Sequence, residues 1–312
     1  MHSAGRAALI VNPTAGGGRG WSVVGQAAPL LRKAGLIPEI VIYTNGDEPG
    51  ALARQAADAG HRLIVAVGGD GQAAAVAAGL VGSDTTLALL PAGSANDYAR
   101  TIGMPRGDVA AAVEAIAAGR TARVDMVKVR LVDRERHFLN VVGTGFDAAV
   151  AGRAEKLPMF RGAGRYVLAI MAELPRFKAA TITLDIDGAA RELRAMMVAI
   201  ANGVSYGGGM RIAPSADLSS GRLEVCVVGE VSKAEFLRTF PKVFRGTHVT
   251  HPAVTMLSGR EMRISADRPL RLIGDGEWFG ELPATVAVDP GSLRVVVGPG
   301  YRGAAVGGPE YS

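Results

Sequence analysis

Short aliphatic runs and longer amphipathic stretches alternate through the first 125 residues. The runs at 7–11, 39–43, 63–67 and 86–90 are rich in Ile, Leu, Val and Ala, the pattern of strands buried on both faces. Between them, residues 21–34, 49–59, 73–80, 96–102 and 109–118 read as helices, and the first two stop at Gly35 and Gly60. This alternation predicts a largely parallel sheet covered by helices. The rhythm changes near Asp125. Runs at 126–132, 137–142, 181–186, 193–202, 223–228, 261–265, 270–273, 284–288 and 293–297 are short strands, with helices only at 166–174 and 233–245. Asp187-Gly188 falls between two of the strands, a hairpin signal. The pattern predicts an α/β domain over 1–125 and a mostly antiparallel β domain over 126–312.

Composition narrows the picture. Of the 312 residues, 42 are glycine and 16 proline, without the G-X-Y period of collagen and below the share that marks disorder. Aromatic residues make up only 5%, so alanine and the aliphatics must fill the core. Cys226, the only cysteine, allows no internal disulfide and no cysteine metal cluster, which fits a reducing, cytoplasmic setting. No apolar run reaches the roughly 18–20 residues of a membrane span, so a lipid role would be peripheral.

Much of the glycine sits in four turns, each after a strand. They are Asn12-Pro13-Thr14-Ala15-Gly16-Gly17-Gly18, Gly68-Gly69-Asp70-Gly71, Pro91-Ala92-Gly93-Ser94-Ala95-Asn96-Asp97 and Asn202-Gly203-Val204-Ser205-Tyr206-Gly207-Gly208-Gly209-Met210. Neighbouring strand ends of a parallel sheet open onto one crevice, where glycine lets backbone N–H groups approach an anion. Neither the P-loop nor the G-x-G-x-x-G pattern is present. An aspartate beside phosphate-binding glycines is repelled unless a cation lies between. Asp70 and Asp97 therefore imply a divalent metal, Mg²⁺ riding on a nucleotide.

The ordered set of motifs resembles the bacterial diacylglycerol kinase-like lipid kinases, which are related more distantly to sphingosine, ceramide and NAD kinases. Its members here are Asn12-Pro13-x-x-Gly16, Gly68-Gly69-Asp70-Gly71, Gly93-Ser94-x-Asn96-Asp97-x-Ala99-Arg100, Asp125, Gly143-x-Gly145-Phe146-Asp147, the loop from Asn202 to Met210, Gly246-x-His248, Asp275-Gly276-Glu277 and Pro290-Gly291-Ser292. The resemblance implies a Rossmann-like α/β ATP-binding domain, a C-terminal antiparallel β-sandwich that receives the lipid, and ATP-dependent phosphorylation of a lipid alcohol. Asn12, Thr14, Gly16, Gly68, Gly69, Asp70, Gly71, Gly93, Ser94 and Asn96 would hold ATP. Asp70, Asp97 and Asp125 would surround Mg²⁺, with Lys156 coupled to that network. Asp275 would be the general base, Glu277 beside it, with Asp70 also catalytic.

Some positions depart from the family pattern. Gln72, Ala74 and Ala75 stand where a threonine and an Asn-Glu pair are usual, and Gly17 stands where a lysine is, with Arg19 near by. Ser219-Ser220-Gly221 replaces an Asp-Asp-Gly that binds a structural cation, leaving Asp217 alone; a hard cation is therefore not expected there. His248 and His251 lack the acidic neighbours of a metal site.

The chain carries 34 basic and 29 acidic residues, a balance of +5. Residues 153–178 hold six cations against two anions, and residues 232–251 hold four against one. Both segments mix cations with apolar side chains; Phe236, Phe240 and Phe244 fall on one helical face. These segments read as a peripheral contact with an anionic membrane, or as packed helices with solvated cations. An edge strand of the β domain offers pairing across a two-fold axis into a homodimer. No aromatic-basic module for nucleic acid appears. Two other functions stay open: a kinase for a soluble alcohol, and a weakened nucleotide or lipid sensor.

Overall fold

The structure, a computed structural model, describes residues 5–13, 17–44, 46–155 and 163–307. It has an N-terminal α/β unit and a mostly antiparallel β unit: Met1–Asp125 with Pro290–Ser312, and Met126–Asp289.

In the first unit the chain runs β1 (Gly5–Val11), α1 (Arg19–Lys33), β2 (Leu36–Ile42), α2 (Pro49–Asp58), β3 (Leu63–Gly68), α3 (Asp70–Leu80), β4 (Thr86–Pro91), α4 (Asp97–Thr101), α5 (Val109–Ala118) and the start of β5 (Thr121–Arg130). The order β2-β1-β3-β4 is parallel throughout. Ala7 to Val11 and Leu63 to Val67 are buried along their whole length, as aliphatic strands covered on both faces must be. Helix α3 is apolar all round and correspondingly buried at Ala73, Ala74, Val76, Ala77 and Leu80. It meets α2 so closely that a methyl group on Gly79 would overlap the Gly50 carbonyl. One more strand comes from the far end of the chain. Arg294 and Val295 pair in parallel with Thr86 and Leu87. The β domain expected to extend to 312 thus ends at 289. The reason is that Leu293, Val295, Val296 and Val297 bury their side chains at the open edge of the parallel sheet.

The second unit holds β6 (Glu135–Phe138), β7 (Val141–Gly145), α6 (Phe146–Glu155), α7 (Ala163–Glu173), β8 (Ala180–Ile186), β9 (Ala189–Ala201), β10 (Leu223–Gly229), α8 (Lys233–Thr239), β11 (Val254–Gly259), β12 (Glu261–Ala266), β13 (Arg271–Gly274), β14 (Glu277–Glu281) and the start of β15 (Ala284–Val296). Strand β9 is the hub. Its first half pairs with β8, and its second half lies between β7 and β10, all antiparallel. Alternate residues there enter two cores. Val198, Ile200, Val225 and Val227 join β5, β6, β8 and β12 in one, while Met197, Ala199, Ala201 and Cys226 join the helices in the other.

The helix expected over 233–245 stops at Thr239 and continues as a 3₁₀ turn over Phe240–Arg245. Pro241, second in that turn, brings no N–H to an α-helical bond. The phenylalanine stripe nevertheless persists. Phe236 and Phe240 stack at 5.8 Å, Phe236 also meets Phe146 at 5.1 Å, and Phe244 is left 46% exposed. Among the described residues no helix is long and apolar enough to cross a membrane.

Candidate functional site

In the first unit the loops after β3 and β4 touch through their glycines. A Cβ on Gly93 would lie 2.5 Å from the Gly69 Cα, so Gly93 has no room for a side chain, and one on Gly69 would press on the Gly93 Cα at 3.3 Å. Asn96 locks the second loop: it accepts from the Gly93 N–H at 3.0 Å and donates to the Gly93 carbonyl at 2.8 Å. Its φ of 51° is the left-handed conformation that asparagine tolerates. Asp70 opens α3 and accepts the Tyr98 N–H at 2.9 Å, which ties α3 to α4. A pocket here is lined by Gly68, Gly69, Asp70, Ala73, Pro91 and Asn96, among others, while Ser94 is exposed beside it.

Burial pushes the Asp70 carboxyl above its ordinary pKa, and the charge of Asp97 pushes it further, against the pull of the Tyr98 N–H. Two carboxylates crowded beside open glycine backbone suit a cation that brings phosphate oxygens with it. Asp125, buried on β5, accepts the Gly291 N–H at 2.8 Å, fastening the returning strand. Among the described residues no three His, Cys, Asp or Glu side chains gather as a metal site. The donor set therefore fits a hydrated Mg²⁺ held by one or two carboxylates plus phosphate, not an all-protein cage. Asn12 lies at the end of β1, its carbonyl against Gly20. Thr14, Gly16 and Lys156 lie outside the described residues.

Gln72 and Asp217, at or beside positions that depart from the family pattern, have protein partners. Gln72 is buried, donates to the Ile10 carbonyl at 2.5 Å and lies across Gly68, where a methyl group would overlap it. It bridges β1 and β3 from beneath the loop. The Ala75 carbonyl abuts Gly50, in the tight α2–α3 contact. Asp217 accepts from both the N–H and the hydroxyl of Ser219, closing a turn. His248 and His251 are occupied as well, His248 with the Ile212 carbonyl and His251 with Glu235.

In the second unit Asp275-Gly276 forms the two-residue turn between β13 and β14, with φ of 50° and 88°. The Asp275 carboxylate accepts three backbone N–H groups: Leu139 at 2.6 Å, Asn140 at 2.9 Å and Val141 at 3.1 Å. Asp187-Gly188 repeats the device, accepting from Arg260 and Glu261. There the Glu261 N–H holds the carboxyl below its ordinary pKa. Glu277 is different. It is exposed and takes one bond, from the Arg136 guanidinium at 2.8 Å, while Arg136 lies over the Phe138 ring. Asn140, which sequence reasoning missed, links this turn to the loop after β9 by donating to the Ser205 carbonyl at 2.7 Å. Its partners lie 65 and 135 residues away, so no local pattern could mark it.

Residues 6–129 match the family described as diacylglycerol kinase catalytic domain, and residues 140–297 match the YegS C-terminal NAD kinase beta sandwich-like domain. The chain is 30% identical over 299 residues to a diacylglycerol kinase of Mycobacterium tuberculosis, covering 95% of this chain and 96% of that one. A diacylglycerol kinase of Bacillus subtilis is 27% identical over 281 residues, 89% of this chain and 91% of that one. The fold is shared with a crystal structure described as a diacylglycerol kinase from Bacillus anthracis. The TM-score is 0.74 at 21% identity, over 95% of this chain and 98% of that one.

Proposed function

This chain belongs to the bacterial diacylglycerol kinase family, a family of phosphotransferases with an alcohol acceptor, and we propose that it transfers the γ-phosphate of ATP to a hydroxyl of a lipid alcohol. The observation that carries the reading is the contact of Gly69 with Gly93 beside the crowded pair Asp70 and Asp97. Glycine leaves the loop backbone accessible to phosphate oxygens, and the two carboxylates would hold the hydrated Mg²⁺ that accompanies them. Bound Mg²⁺·ATP supplies the phosphoryl group and neutralises the charge that develops on it. Asn12, at the end of β1, and Asp125, on β5, belong to the same unit as these loops.

Of the two acids that follow β13, Glu277 suits the proton-accepting role better than Asp275. Protonating Asp275 would disrupt up to three backbone bonds, whereas Glu277 is open and held by one guanidinium. Asp275 then shapes the turn that presents Glu277.

The lipid reading is supported by a mixed surface on α7 and the α8 region. Val167, Leu168, Met171, Leu237 and Phe244 are exposed, with Arg176, Lys178, Arg238, Lys242 and Arg245 exposed near them in sequence. Lys233 donates to the Pro175 carbonyl and so joins the two segments. This surface docks peripherally on anionic lipid, each cation adding roughly 1 kcal/mol near the surface. A second copy would add along an edge strand such as β11, which pairs only with β10 among the described strands.

The test is phosphorylation of a total lipid extract with γ-labelled ATP and Mg²⁺, with Gly93→Ala as control. Label entering one lipid class, falling roughly a hundredfold in the variant, is the expected result. Label in a soluble alcohol only, or ATP binding without turnover, would replace the lipid-kinase reading with one of its two competitors.

A further inference from the structure

Leu139 and Asn140 join β6 to β7, and they are bonded on both sides. Towards the Asp275-Gly276 turn, their N–H groups donate to the Asp275 carboxylate at 2.6 and 2.9 Å. Towards the loop after β9, the Asn140 carbonyl accepts the Asn202 N–H at 2.8 Å, and the Leu139 carbonyl accepts from the Asn202 side-chain amide at 3.1 Å. The Asn140 side chain adds the link to the Ser205 carbonyl. Ser205 precedes a hairpin closed by reciprocal Tyr206–Met210 backbone bonds of 3.0 Å. Its tip is Gly207-Gly208-Gly209, all three at positive φ. Glycine backbone has little shape of its own, so the place of this hairpin comes from its anchors.

The Asn140 side chain is a poor choice for stability. The residue is only 6% exposed, and its Oδ1 is sealed from solvent with no hydrogen-bond partner. Native folds pair nearly all such atoms, and leaving one unpaired is costly. The backbone bonds on either side need no particular side chain at this position. The amide therefore serves one end, the link from the segment that grips Asp275 to Ser205. A local rule broken without a gain in packing is expected where function sets the residue.

Glu277 lies two residues past Asp275, is exposed and is held by the Arg136 guanidinium, so its position depends on the turn before it. Resting on the reading of Glu277 as the proton acceptor, we propose that Asn140 is the positioning residue for that acid. Its amide fixes the loop after β9 against the segment that Asp275 grips, and so holds the Asp275-Gly276 turn where Glu277 meets the acceptor hydroxyl. Asn140 acts through the turn and touches no substrate. A shift of about 1 Å at a reacting group is enough to cost roughly a hundredfold in rate.

The test is a double-variant cycle on Asn140→Leu and Glu277→Gln, with dioctanoylglycerol as the acceptor. Leucine is close in size to asparagine, removes the unpaired Oδ1 and loses the link to Ser205. Alone, Asn140→Leu should lower kcat roughly a hundredfold with the KM for ATP unchanged. In the Glu277→Gln background it should cost less than about threefold, because a residue that acts through Glu277 then has nothing left to position. The same factor in both backgrounds is what a merely structural role gives, and it overturns the proposal. Asn140→Ala carries the cycle if the leucine variant does not fold. A second readout needs no turnover. Trp278 follows Glu277 and is 56% exposed, and Trp21→Phe removes the only other tryptophan. Acrylamide quenching of Trp278 should differ between the Asn140 variant and the protein with Asn140 intact. Identical quenching overturns the positioning role and leaves the kinase reading standing. Altered quenching in a protein that phosphorylates no alcohol overturns the kinase reading and leaves the hold of Asn140 on the turn.

Discussion

The two Asp-Gly turns of the second unit share nearly the same φ angles, 52° and 90° for Asp187-Gly188 and 50° and 88° for Asp275-Gly276. In both, the aspartate N–H donates to a carbonyl of the strand its carboxylate caps, Glu261 in one and Val141 in the other. In both, the carboxylate captures N–H groups of a strand far away in sequence. What differs is the sequence that follows. The first turn leads into Ala189-Ala190, the second into Glu277-Trp278, with Arg136 set against the glutamate. An aspartate in such a turn is thus an architectural device, and on the proposed reading the proton-accepting role falls to the residue the turn presents.

The sharpest way to break this comparison is to exchange the roles. Glu277→Gln should lower kcat by roughly 10²–10⁴-fold with little change in unfolding temperature, as expected when a general base is lost. Asp275→Asn should do the reverse in kind. It turns an amide donor toward N–H groups that now lack their acceptor, and stability should fall by roughly 1–3 kcal/mol in urea unfolding. If Asp275→Asn abolished turnover at full stability while Glu277→Gln stayed active, the general base would be Asp275 after all.

The same contrast explains how much could be read in advance. The first unit was legible because its candidate site is local: a strand, a glycine turn and a helix are consecutive in the chain, so the Gly68–Gly71 and Gly93–Asp97 loops announce themselves. Other contacts join segments far apart in the chain. In the second unit Asp275 meets residues 134–136 positions away, and in the first Asp125 meets Gly291 across 166. Motif resemblance could point to Asp275-Gly276-Glu277, but not to which of its acids was already occupied. The return of residues 293–297 to the first unit was hidden for a related reason. A buried aliphatic run looks the same whether it pairs in parallel or antiparallel. Pro241 was visible, but the phenylalanine spacing of four outweighed it, and the spacing survives a change of helix type.

Asp147 extends the comparison to an acid with no captured strand. Its carboxyl is raised from 3.8 to about 7, chiefly by burial. A raised value means that the folded state keeps its proton while the unfolded chain releases one. The stability this contributes is complete below about pH 4 and is lost as pH rises through about 7. Between pH 5 and 8 the unaltered protein should therefore lose on the order of 1–4 kcal/mol that Asp147→Asn does not lose. Cys226, the titratable neighbour whose own value registers Asp147, stays protonated over that range and leaves the slope to the carboxyl. Unfolding temperatures at both pH values for both proteins measure the difference; parallel slopes would mean that the Asp147 carboxyl is solvated.

The smallest effect is expected at Asp187, and its sign is opposite. Backbone donors hold this carboxyl below its ordinary value, Glu261 foremost, so its stabilising share is present above about pH 4 and disappears on acidification. The residue is exposed, and water screens much of the interaction. Asp187→Asn should accordingly cost only a few tenths of a kcal/mol at pH 7, in the range of exposed charge pairs. The cost should shrink at acid pH, as the native carboxyl takes up its proton too. Urea midpoints at the two pH values give the answer. A loss at Asp187 as large as that at Asp275 would mean that the turn itself, not the burial of the strand it captures, sets the energy, and the two hairpins would then differ in nothing but Glu277.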